Sequence, residues 1–75
     1  MLNIKETRKY LEKCNKEQLR ESAGYFTVKH VEADTKVDEL EIQNADEEEI
    51  EKYRKLSDNY LELYKITKEI AESRN

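Results

Sequence analysis

One cysteine, one histidine and one glycine stand in a chain of 75 residues that has neither proline nor tryptophan. A lone cysteine, Cys14, rules out an intrachain disulfide, and Cys14 with His30 falls short of the ligands a zinc site takes. A single glycine, Gly24, cannot build a glycine-rich phosphate loop. No apolar run approaches the ~18–20 residues that span a bilayer, and the start Met1-Leu2-Asn3-Ile4-Lys5 has no signal-peptide core. No membrane association, no metal and no cofactor are expected, and the cytoplasm is the expected location.

Apolar residues are scarce as well, at 36% against a usual ~45–50%, whereas charged residues reach 43% against ~25%. A chain this short buries only about 60–65% of the surface its unfolded form exposes, so one domain with a thin core is the limit. With disulfides and metal excluded, a partner is the remaining source of stability. The absence of proline and the abundance of Lys, Glu, Asn, Ile and Tyr match an AT-rich coding sequence, which indicates no function.

Asn3 followed by Glu6 is a helix start, and Gly24 suits the left-handed residue after a helix, which predicts a helix over about residues 4–22. Ile4, Thr7, Leu11, Cys14, Gln18 and Ser22 share one side of it, a narrow and half-polar stripe. Tyr25-Phe26-Thr27-Val28-Lys29-His30-Val31 is rich in β-formers and reads as a strand. A second strand over about 36–43 would close a hairpin, although its turn lacks Asn-Gly and Val37 faces away from Leu40 and Ile42. Asn44 or Asp46 then caps a helix over about 45–73 whose first turn holds Glu47, Glu48 and Glu49. The predicted fold is a single α+β domain, α-β-β-α, with a long C-terminal amphipathic helix; an all-α helical hairpin is the alternative.

In the C-terminal helix Tyr53, Leu56, Tyr60, Leu63, Thr67 and Ile70 alternate spacings of three and four, and Ile50, Leu61, Tyr64 and Ala71 widen the seam to about half the wheel. A helix with one neighbour needs only a ~100° stripe, so the width predicts two contacts, one of them with another molecule. A helix this long also overhangs its predicted neighbours. Tyr53, Tyr60, Leu63, Tyr64, Ile66 and Ile70 are therefore the candidate partner-binding residues of a homodimer. The plainer reading makes the tyrosines edges of the core with wetted hydroxyls.

Charge is divided unevenly: residues 1–31 carry seven basic and four acidic side chains, residues 32–75 seven and fourteen. Lys5, Arg8, Lys9, Lys13, Lys16 and Arg20 cluster on the first helix and form a candidate nucleic-acid contact, which the acidic remainder would oppose. A solvated helix face explains the same pattern. Nothing assembles a catalytic constellation: Cys14 reads as core filler, His30 as an ordinary strand residue, and the Glu47-Glu48-Glu49 run lacks the alternation of a calcium loop. The sequence points to a small non-catalytic protein-interaction module. A homodimeric regulator or inhibitor, of the kind phages and mobile elements encode, fits best, with a nucleic-acid-associated factor as the alternative.

Overall fold

The computed structural model describes residues 3–74 as three helices, α1 (Ile4–Glu12), α2 (Lys16–Ile42) and α3 (Glu47–Ser73). Among the described residues there is no strand, so the α+β prediction is wrong and the all-α alternative matches. Both predicted strands lie in α2, apart from Gln43, which is its C-cap.

Two local signals explain the difference. The first helix does stop, but after Glu12 rather than at Gly24. Asn15 restarts the chain at once with a reciprocal capping box: its side chain accepts from the Gln18 N–H at 2.8 Å while its own N–H donates to Gln18 Oε1 at 2.9 Å. The second stop is Asn44, at φ 55° in the left-handed region. Ala45 N–H donates to the Leu40 carbonyl and Asn44 N–H to that of Glu41, the paired bonds of a Schellman motif. Asparagine thus does here what glycine was expected to do twenty residues earlier. Gly24 sits inside α2 without a positive φ.

Between those stops the β-propensity of residues 25–31 loses to helical spacing. Leu19, Phe26, Ala33, Val37 and Leu40 are separated by seven, seven, four and three, which places them on one face of a helix, and all five are buried. Intrinsic propensity is worth fractions of a kcal/mol per residue, while burying one large apolar side chain is worth about 1.5–3 kcal/mol. Packing decides the outcome.

α2 and α3 run antiparallel, as the pairing of His30 with Ser57 and of Glu41 with Arg54 requires. α1 packs on α3 near the chain ends. One end is accordingly three helices thick, with Leu11, Cys14, Leu19, Phe26, Leu63, Ile66 and Ile70 in one core cluster. The other end is a two-helix tip held by Val37, Leu40 and Ile50, with Ala45 and Tyr53 against them. The molecule measures 46 × 19 × 13 Å.

Candidate interaction surface

The residues expected to bind a partner on α3 are turned inward. Leu63 is fully buried, and Ile66 and Ile70 are buried beside it, covered by α1 and the first half of α2. Tyr53, Tyr60 and Tyr64 are half-buried at the edges of the two clusters. The wide apolar arc of α3 does meet two neighbours, but both belong to the chain: α2 along its length and α1 over the expected overhang.

The inward line of α3 also differs from the expected seam at Ser57. Ser57 is buried, while Leu56 is only partly so. Ser57 faces the polar residues of α2. His30 Nδ1 lies 3.0 Å from the Ser57 carbonyl oxygen and 3.0 Å from Ser57 Oγ, and Ser57 Oγ donates to Asp34 Oδ1 at 2.5 Å. His30 Nε2 is 3.4 Å from Asp34 Oδ2. A carbonyl can only accept, so Nδ1 carries a proton in this arrangement.

A Ser, a His and an Asp together raise the question of nucleophilic catalysis, and the proton directions answer it. A triad needs the hydroxyl proton aimed at an imidazole nitrogen that is free to take it. Here that proton goes to Asp34, the nitrogen nearest the hydroxyl is itself the donor to a carbonyl, and Ser57 is buried beyond the reach of a substrate. The cleft beside His30, about 240 Å³ and lined by Thr27, His30, Leu61 and Tyr64, does not include Ser57. The cluster is a polar cross-tie between α2 and α3.

A different surface is left uncovered. Tyr25, Val28, Val31 and Ile42 on α2 are 51, 56, 55 and 82% exposed. At 100° per residue, Gly24, Val28, Val31, Thr35 and Ile42 fall within an arc of about 60°, roughly opposite the buried face of α2. The helix therefore carries apolar residues on two sides, one against α3 and one toward solvent. At one edge of this outer face Tyr10 of α1 is also exposed, and Tyr10 and Tyr25 border an open cleft of about 420 Å³ floored by Phe26. Lys29 Nζ lies 5.6 Å from the Tyr25 ring centre and 3.4 Å from Glu32, whose carboxylate holds the amine above its ordinary pKa. Cys14 Sγ donates to the Tyr10 backbone carbonyl at 3.4 Å, and the nearby Cys14 side chain raises the Tyr10 phenol above its ordinary pKa.

The six cations Lys5, Arg8, Lys9, Lys13, Lys16 and Arg20 are all exposed, but the break at residues 13–15 divides them between two helices. At the far tip, residues 32–52 hold ten acidic side chains and two lysines. Arg54 gathers three of those acids, Glu41, Glu47 and Glu51, at 3.5, 3.5 and 3.7 Å. Among the described residues no three His, Cys, Asp or Glu side chains are grouped to hold a metal, and no helix is long and apolar enough to cross a membrane.

The outer face of α2 was hidden in the sequence by its β-like composition; the signal that could have found it is the second apolar stripe at 28, 31 and 42, which appears only once the segment is drawn as a helix. Comparison of the chain with protein-family models, curated proteins and solved structures finds no significant match, so its function is argued from its own residues.

Proposed function

We propose that the chain is a small non-catalytic protein-interaction module, a regulator or inhibitor that works by docking the outer face of α2 on another polypeptide. The observation that carries this reading is the exposed stripe Val28, Val31 and Ile42 with Tyr25 and Tyr10 at its edge. In a chain with so few apolar residues, leaving these on the surface is a cost to solubility that nothing inside the fold repays. Tyrosines bordering an apolar strip, with charges around them, are the composition of an interface centre and its rim. The shallow clefts fit a side chain or a helix better than a small enclosed substrate.

The test is site-specific photo-crosslinking in cells, with a benzoylphenylalanine at Val31 on the outer face of α2 or at Lys65 on the exposed side of α3. The reading predicts protein adducts from position 31 and none from position 65. Equal labelling, or adducts from position 65 alone, contradicts it.

Nucleic-acid binding through Lys5, Arg8, Lys9, Lys13, Lys16 and Arg20 is the competing reading, supported by the exposure of all six. The two-helix split and the acidic tip weigh against it, because phosphate affinity grows with the number of cations that reach one backbone. A mobility-shift assay at low salt decides: no retarded DNA or RNA removes this reading.

A further inference from the structure

We propose that the occupant of the outer face of α2 is a second copy of this chain, docked antiparallel, α2 on α2, with the two-fold axis between Lys29 and His30. The proposal rests on the interaction-module reading above and names its partner.

Symmetry of the stripe is the first support. An antiparallel pair about that axis sets Val28 on Val31 of the partner subunit and Gly24 on Thr35 of the partner subunit, so four of the five stripe residues meet one another, and Ile42 falls level with Glu17 of the partner subunit.

Gly24 is the second support. Glycine inside a helix is unfavourable by roughly 0.5–1 kcal/mol relative to alanine. Its usual justifications are missing here: its φ is not positive, and a Cβ built on it would meet nothing within 4 Å. The chain itself gives no reason for the missing side chain. Close approach of another backbone on the outer face does, and Gly24 lies on that face.

Charge sets the direction. The end of the molecule formed by residues 3–24 carries six basic and four acidic side chains, while residues 32–52 at the tip carry two and ten. A parallel pair would bring two acidic tips together; an antiparallel pair lays each tip along the partner's cationic end. On one flank Arg20 falls beside Asp38 of the partner subunit, twice by symmetry. Both residues are exposed, and neither makes an ion pair among the described residues. The other flank brings Glu21 near Glu39 of the partner subunit, an unfavourable contact, so charge orients the pair and the apolar stripe holds it.

Sedimentation velocity of the full chain, from micromolar to millimolar, tests this. The expected result is a concentration-dependent dimer that Val28→Glu/Val31→Glu converts to monomer with the helical circular dichroism unchanged, since both positions are exposed. Arg20→Asp and Asp38→Arg should each weaken the dimer about fivefold, and the double variant Arg20→Asp/Asp38→Arg should regain the loss. A dimer indifferent to Val28→Glu/Val31→Glu, or a double charge variant no stronger than the single ones, overturns the proposal. So does a monomer throughout. In that case adducts from position 31 with a different protein leave the interaction-module reading standing, whereas no adducts at all remove both.

Discussion

Ser57 Oγ on α3 donates to Asp34 Oδ1 on α2 at 2.5 Å, between the two apolar core clusters. The contact joins the two core clusters and matches one helix to the other at a single level. An apolar pair would be at least as stabilising, since breaking a buried polar tie is expensive but replacing it whole is not. Register is what the polar layer specifies. Ser57→Ala should lower stability by about 1 kcal/mol in a urea melt, because partly exposed His30 and exposed Asp34 recover water. His30→Leu/Ser57→Leu should match or exceed the parent in stability while broadening its amide NMR spectrum, the sign of sliding register. A sharp spectrum would refute the register role.

Asn44 holds a left-handed conformation, which is unfavourable for any side chain and least so for asparagine. Asn44→Gly should therefore raise stability by about 0.5–1 kcal/mol, and Asn44→Val should lower it by at least as much. The midpoints of thermal unfolding give both signs.

Leu63 is fully buried in the three-helix end. Leu63→Ala should remove about 2–5 kcal/mol, which is a large share of what a small domain has. The variant should be largely unfolded by circular dichroism. A folded Leu63→Ala protein would mean that this end is open and that the α3 residues are available to a partner after all.

Arg74 closes the same three-helix end: its guanidinium donates to the carbonyls of Glu12, the last residue of α1, and of Cys14 in the turn after it. Arg74→Ala should release α1, seen as faster amide hydrogen exchange over Ile4–Glu12 with α2 and α3 protected as before. Loss of protection along the whole chain would show that α1 is not a separable unit.

The sequence was readable wherever capping and spacing agreed. Asn3 caps α1 as expected, accepting from Glu6 N–H at 3.1 Å, and the glutamates of the α3 first turn lie where the predicted start put them. It misled where a local signal outweighed a longer one. Tyr25, Phe26, Thr27 and Val28 favour a strand when taken as a block, and Gly24 before them looks like a terminator. Only the 19, 26, 33, 37, 40 spacing, which spans both predicted elements, shows that one helix runs through. The breadth of the α3 stripe was correctly two contacts wide, but a wheel cannot tell a partner from a helix that folds back. α1 is that helix, and its turn at residues 13–15 was concealed by a pattern that continues smoothly from Leu11 to Gln18. Ser57 was passed over because a serine in a heptad line reads as solvent-facing until its partners, His30 and Asp34, are known to be opposite it.

The proposed working surface is the solvent side of α2, and methyl NMR observes that surface residue by residue. Spectra of the labelled protein from dilute to millimolar concentration should move the methyl signals of Val28, Val31 and Ile42 and leave those of Leu63, Ile66 and Ile70 in place. Shifts confined to the α3 methyls would contradict that placement, and a spectrum that does not change with concentration would remove a second copy as the occupant of that surface.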